Sequence, residues 1–427
     1  MGSAHISELF PDTVPRSTGS LRKTGVLSSR LIEQAIEQGH IEAGKAIAPG
    51  QIQPSSLDLR LGPTAYRVTA GFLPGRKRTV SACLQQQGED VVEIDLSSPQ
   101  VLERGHVYIV PLLETLNLSK RTSAKANPKS TTGRLDIFTR LITDHGTQFD
   151  RVPDGYKGKL YAEISPRSFS IQVSEGATLN QLRFVVGTPT PSDSSIRKLH
   201  ADNVLVYAQD GTPIDARIER GLTLSIDLDF HGTSEIVGYV ARNTNSIIDI
   251  NRIAHYEVDK FWKPIYRPDD GQILIEPDHF YILASKEMVR IPPDYAAEML
   301  PFDASIGEFR AHYAGFFDPG FGFGNGEIPG VRAVLEVKAH YVPFYLQHGQ
   351  IVAKLLYEQM MERPPHVYGE GLGSSYYNQG LTLSKQFAQW VSKTTECRKL
   401  TSRSPTPTGS RNTATTSFRC GPPAPTR

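Results

Sequence analysis

The chain repeats itself at a fixed offset, and that repetition limits what it can fold into more than any single motif does. His106-Val107-Tyr108-Ile109 returns as His279-Phe280-Tyr281-Ile282, and Tyr161-Ala162-Glu163-Ile164 returns as Val334-Leu335-Glu336-Val337. Glu175-Gly176 with Leu179 and Leu182 returns as His348-Gly349 with Val352 and Leu355. These three echoes share a shift of about 173 residues, the length of a whole domain. Ser56-Leu57-Asp58-Leu59 is also echoed, by Ser225-Ile226-Asp227-Leu228. A tandem duplication of one module is expected.

Each copy is written as short β-like runs separated by Gly, Pro and Asp turns. Leu57, Leu59 and Leu61 alternate with polar residues, as a half-buried strand does. Further runs follow at residues 66–68, 91–94, 107–111, 135–138, 159–164, 170–173 and 182–186. Many short strands at this spacing predict a mainly β fold, two barrel or jelly-roll modules with a few short helices. One helix is expected at residues 27–38, capped by Ser28 or Ser29 and stopped at Gly39. The expected organisation is a disordered stretch at 1–24, a first module at 25–190, a linker at 191–220, a second module at 221–387 and a disordered basic tail at 388–427.

With 39% hydrophobic and 21% charged residues the chain reads as an ordinary globular protein, and a net charge of +1 gives no drive toward nucleic acid or anionic membrane. The three cysteines, Cys83, Cys397 and Cys420, form no C-x-x-C pair, which argues against a disulfide scaffold or a thiolate zinc site. Without an apolar leader or a membrane-length apolar run, a cytoplasmic protein is expected, with neither membrane nor nucleic acid as a partner.

Chemistry concentrates in two places. Pro128-Lys129-Ser130-Thr131-Thr132-Gly133-Arg134 gathers two cations, three hydroxyls and a glycine, a set able to wrap a polyphosphate. Downstream, Glu163 sits in a strand-like run, where an inward carboxylate is costly unless it is paired or working. Together they read as a nucleotide site with a general base; a solvated basic turn and a water-facing Glu are the plainer alternative.

These residues resemble the dCTP deaminase family, the trimeric relatives of dUTPases. Ile52-Gln53-Pro54-Ser55-Ser56-Leu57-Asp58-Leu59-Arg60-Leu61-Gly62 is similar to its N-terminal signature. Lys129 to Arg134 resembles its Arg-Ser-Ser-x-x-Arg phosphate and catalytic segment, and Gly155-Tyr156-Lys157-Gly158 followed by Tyr161-Ala162-Glu163 resembles its turn and catalytic glutamate. In the second copy, Phe317-Asp318-Pro319-Gly320-Phe321 and Leu335-Glu336 match its Asp-Pro-Gly and Leu-Glu pieces. Tyr368 and then Tyr376-Tyr377-Asn378-Gln379-Gly380 resemble its C-terminal lid. Module two departs from the pattern at Asp303-Ala304-Ser305-Ile306-Gly307-Glu308, where acids replace both cations and would repel a triphosphate.

The resemblance implies dUTPase-like modules and hydrolytic deamination of dCTP to dUTP and ammonia. It leaves open a bifunctional form that continues to dUMP, and a non-catalytic nucleotide sensor. No H-x-E with P-C-x-x-C is present, so water activation is assigned to a glutamate rather than to zinc. Glu163 is expected as the base, with Arg134 beside it and Ser130 orienting the water or the amine. Lys129, Thr131, Thr132, Gly133, Tyr161, Ala162, Tyr368 and Gln379 are expected to hold substrate. Mg²⁺ is expected on the triphosphate, not on protein side chains. Because family sites lie between subunits, Glu336 and Asp318 stand as a second-module site composed with a partner module, and self-association is expected.

Overall fold

Among the described residues the alternating runs form six sheets: two larger ones in each module, a three-stranded sheet shared between the modules and a two-stranded one. In the computed structural model, residues 23–189, 192–230, 235–300, 309–311, 315–324, 326–339, 341–369 and 380–388 are described. The expected disordered N-terminus, the acidic Asp303–Glu308 stretch, Tyr376, Gln379 and the tail beyond Ala388 lie outside the described residues.

Module one has a sheet in the order Ile137–Thr143, Lys157–Pro166, Val107–Asn117, Thr64–Val68, Val92–Asp95. Module two repeats it as Phe309–Ala311, Val331–Ala339, Tyr281–Val289, Ile236–Ala241, Trp262–Tyr266. The register of the three central strands repeats to the residue. Ile109 lies between Glu163 and Tyr66, and Ile282 lies between Glu336 and Tyr239. The second sheets also correspond: Thr122–Pro128, Thr178–Val186 and Ser56–Arg60 in one module, Tyr295–Leu300, Ile351–Gln359 and Leu222–Ser225 in the other. Leu57, Leu59, Leu182 and Phe184 are fully buried, so the strand expected to be half-buried is covered on both faces and carries Asp58 inside.

The first helix is Ser29–Glu37, with Ser28 accepting from the Leu31 amide and Gly39 turning out of it at φ +71°. The stretch expected as a linker is structured: Asp193–Asp202 is helical and Val206–Tyr207 pairs with Tyr281–Val289. Ile196, Leu199, Leu205 and Val206 are buried in module two's core. Their apolar spacing is too short to stand out between Pro/Ser stretches, and burial decided their fate.

The modules are joined by buried and partly exposed ion pairs. Arg183 of module one is fully buried and donates to the Ala297 carbonyl (2.9 Å), Ser55 Oγ (2.9 Å) and the Phe317 carbonyl (3.2 Å). It lies 3.5 Å from Glu358 and 4.0 Å from Asp318, with its guanidinium 4.0 Å above the Phe316 ring. Lys125 bridges Glu298 and Glu358, and Glu362 receives both Ser28 and Arg30. Removing one partner of a buried pair strands the other, at a cost of about 3–5 kcal/mol. Arg183→Met is therefore expected to lower the thermal midpoint, followed by circular dichroism, by several degrees; an unchanged midpoint would show that this contact does not hold the modules together.

Candidate active site

The Lys129–Arg134 segment is placed where a strand must end. Pro128 closes Thr122–Pro128, and Lys129 turns into a single helical turn, Ser130–Gly133, after donating its amide to the Leu179 carbonyl (2.9 Å). Thr132 is buried and its hydroxyl donates to the same carbonyl (2.9 Å), so it anchors the turn rather than facing substrate. The Gly133 amide donates to the Lys129 carbonyl (2.9 Å) and is not available for a phosphate. Ser130 is exposed, Thr131 is half-buried, and Lys129 ion-pairs with Asp58 and donates to Thr178 Oγ1 (3.0 Å).

The pairing expected from sequence, Glu163 beside Arg134, is not made within this chain. Strand register puts Glu163 opposite Arg140, not beside Arg134. Glu163 is buried, receives the Phe72 amide and has Gly71 packed against its carboxylate. Burial raises its pKa above the usual carboxylate range against the opposing pull of Arg140. Tyr161 and Ala162, expected at substrate, share that interior. Tyr161 packs with Val68, Val80, Ile109 and Ile142, and Ala162 is fully buried.

The carboxylate that meets the phosphate segment is Glu336, from module two. A β-carbon added to Gly133 would lie 2.6 Å from both of its carboxylate oxygens. Gly133 thus works by lacking a side chain, which lets Glu336 close in on the turn. Burial pushes the Glu336 carboxyl up to about 8; Arg134 pulls it down and Asp136 pushes it further up. Arg134 itself is buried and donates Nη1 to the Thr382 carbonyl (2.9 Å).

Other module-two groups complete this place. Asp318 accepts from Ser55 Oγ (2.5 Å), and burial raises its pKa despite Arg183. Its turn continues through Pro319, whose carbonyl accepts the Tyr368 amide (2.8 Å), and the Tyr368 ring lies 5.4 Å from Phe321. The C-terminal residues 380–388 run across the segment: Ser384 Oγ donates to the Thr131 carbonyl (3.2 Å). Gln386 donates to the Ile250 carbonyl (2.6 Å), and Phe387 packs edge-on to Phe261 and Trp262. Lys385 adds a positive charge near Asp58, as Lys129 does. Asp58, Thr382, Ser384 and Lys385 were not assigned from sequence. Only Asp58 had a visible signal, a charge inside a leucine-alternating strand.

The site therefore joins a guanidinium and hydroxyls of module one to carboxylates of module two. Comparison with known proteins agrees with that division. The profile for the 2'-deoxycytidine 5'-triphosphate deaminase (DCD) N-terminal domain matches residues 23–188, and that for the C-terminal domain matches residues 192–387. The chain belongs to the dCTP deaminase family. It is similar to the crystal structure of 2'-deoxycytidine 5'-triphosphate deaminase from Agrobacterium tumefaciens, at 47% identity and a TM-score of 0.75, covering 80% of this chain and 100% of that one. It is also 28% identical over 141 residues to "dCTP deaminase, dUMP-forming" of Dictyoglomus thermophilum, across 33% of this chain and 69% of that protein. The protein of the same title from Parafrankia sp. is 29% identical over 169 residues, across 38% and 78%. This is thus an enzyme of the dCTP deaminase family with both family domains in one chain. Among the described residues, no helix is long and apolar enough to cross a membrane.

The raised Glu336 carboxyl has a sign that can be checked. Its folded pKa lies above the ordinary carboxylate value, so the stability it supports is complete below about pH 4.5 and is lost as pH rises through about 8. Glu336→Gln removes a group that must ionise in a desolvated place. The variant is expected to melt higher than the parent, by a margin that grows from about pH 5 to about pH 9. A margin independent of pH would show that the carboxyl is not desolvated.

Proposed function

We propose that the Arg134–Glu336 site deaminates dCTP and then carries the nucleotide on to dUMP. The observation that bears this reading is the carboxylate of one module closed against Gly133, within the field of Arg134, on the phosphate-type segment of the other. A carboxyl poised near neutrality both takes and returns a proton, as general acid–base catalysis requires. In the proposed reaction Glu336 takes a proton from water as the oxygen bonds to carbon 4 of the cytosine. It returns that proton to ring nitrogen 3; a second transfer to the amine releases ammonia and leaves the uracil carbonyl. Arg134 favours the charged carboxylate and steadies negative charge as it develops. Ser130, exposed at the mouth of the segment, orients the water or the amine. Lys129, Thr131, Asp318 and Tyr368 line the approach for sugar and triphosphate.

Continuation to dUMP is favoured over release of dUTP because the relatives from Dictyoglomus thermophilum and Parafrankia sp. are named dUMP-forming. In that continuation a second water attacks phosphorus and pyrophosphate departs. The described residues include no cluster of three or more His, Cys, Asp or Glu side chains suited to a metal. Mg²⁺ is proposed to travel on the substrate phosphates, as nucleoside triphosphates carry it. Self-association and a cytoplasmic setting belong to the same proposal, from the resemblance and from cysteine usage.

The test follows ammonia and pyrophosphate separately from dCTP and Mg²⁺, with and without a zinc-stripping chelator. Both products in equal amounts, unaffected by the chelator, are expected. Ammonia alone would confine the enzyme to dUTP formation, loss of activity to the chelator would refute a glutamate-only base, and neither product would leave a nucleotide sensor.

A further inference from the structure

The duplication supplies two glutamates at equivalent register, and each carboxylate lies where a β-carbon on a neighbouring glycine would meet it. At Glu336 the glycine is Gly133, from the phosphate segment of the other module. At Glu163 it is Gly71, from the same module. We infer that residues 69–79 occupy, at Glu163, the place that the other module's phosphate segment takes at Glu336. Module one's pocket is then a closed copy of the active site, and each chain binds a single nucleotide. This rests on the Arg134–Glu336 reading given above.

The contrast comes from one insertion used in two ways. In both modules it follows the equivalent strand, Thr64–Val68 or Ile236–Ala241. Module two's insertion reaches away to module one, where Ile248 and Asp249 pair with Ile171 and Gln172. Glu336 is left to the neighbouring segment. Module one's insertion folds back on its own sheet. Phe72 donates its amide to Glu163, and its ring packs on the Val68, Ile109 and Tyr161 cluster. The loop is fastened beyond that point. Gly75 donates to the Gly146 carbonyl (2.9 Å), His145 to the Arg78 carbonyl (3.0 Å), and Val80 to Asp144 Oδ1 (2.8 Å). Arg140, the cation opposite Glu163, is ion-paired to Asp150 and lies over the Phe149 ring at 4.9 Å. It is held in the structure of module one instead of waiting for a phosphate. Module two's own segment bears Asp303 and Glu308 where module one has Lys129 and Arg134, so its sequence offers Glu163 no cationic partner for a triphosphate.

Two measurements on the full-length chain test this. Calorimetric titration of Glu336→Gln with dCTP and Mg²⁺ is expected to give one nucleotide per chain. Two per chain would overturn the closed pocket and leave the Arg134–Glu336 reading standing; no binding would overturn both. Gly71→Ala puts a methyl where the Glu163 carboxylate lies. It is expected to lower the thermal midpoint while ammonia release from dCTP stays within about twofold of the parent. An unchanged midpoint, or a loss of activity beyond about tenfold, would show that the loop is not a seated plug over an idle pocket.

Discussion

A carboxylate from one module held against the bare backbone of the other is the contact on which this molecule depends. Ionising Glu336 in that place costs several kcal/mol, since a shift of one pKa step corresponds to about 1.4 kcal/mol. Arg134 recovers part of that cost and Asp136 adds to it. The balance is reached only if the modules are locked in one relative position. Arg183, Lys125 and the Arg30–Glu362 pair provide that lock from fully and partly buried positions along the interface. The structural charges and the chemical charges are thus parts of one arrangement: the first fix the distance at which the second operate.

The duplication explains why one chain can specialise its halves. Equivalent strands carry Glu163 and Glu336 in the same register, yet their surroundings differ because the insertions differ. One insertion closes over its own sheet, and the other crosses the interface and backs the C-terminal residues that lie on Arg134. The cationic segment lies in module one, and the carboxylate that meets it within the chain, Glu336, lies in module two.

Much of this was legible in the sequence. The three echoes at the common offset located equivalent strands correctly, whereas the Ser56–Ser225 echo is four residues out of register, because Leu57 and Leu59 correspond to Leu222 and Leu224; the β grammar and the Ser28 cap appear where the turns and alternation put them. The segment from Lys129 to Arg134 was recognisable from its cations and hydroxyls. Which glutamate it meets was not. Local sequence shows that Glu163 follows Arg134 closely along the chain, but register then carries Glu163 to Arg140. Pairing across modules is a tertiary fact, hinted at by the acids at Asp303 and Glu308 and by the between-subunit sites that the resemblance implies, which had put Glu336 forward as a second candidate. Gly133 was likewise taken for a phosphate-binding glycine, because a sequence cannot distinguish a glycine needed for its amide from one needed for its missing side chain. Thr132, Tyr161 and Ala162 fell the same way: residue type fitted a site, and packing took them into the interior.

The central claim is that the working base comes from module two. It is tested most directly by measuring ammonia release from dCTP by Glu336→Gln and Glu163→Gln side by side, each verified as folded. The expected result is that Glu336→Gln loses turnover by at least about a hundredfold while Glu163→Gln stays close to the parent rate. An active Glu336→Gln beside an inactive Glu163→Gln would contradict the account.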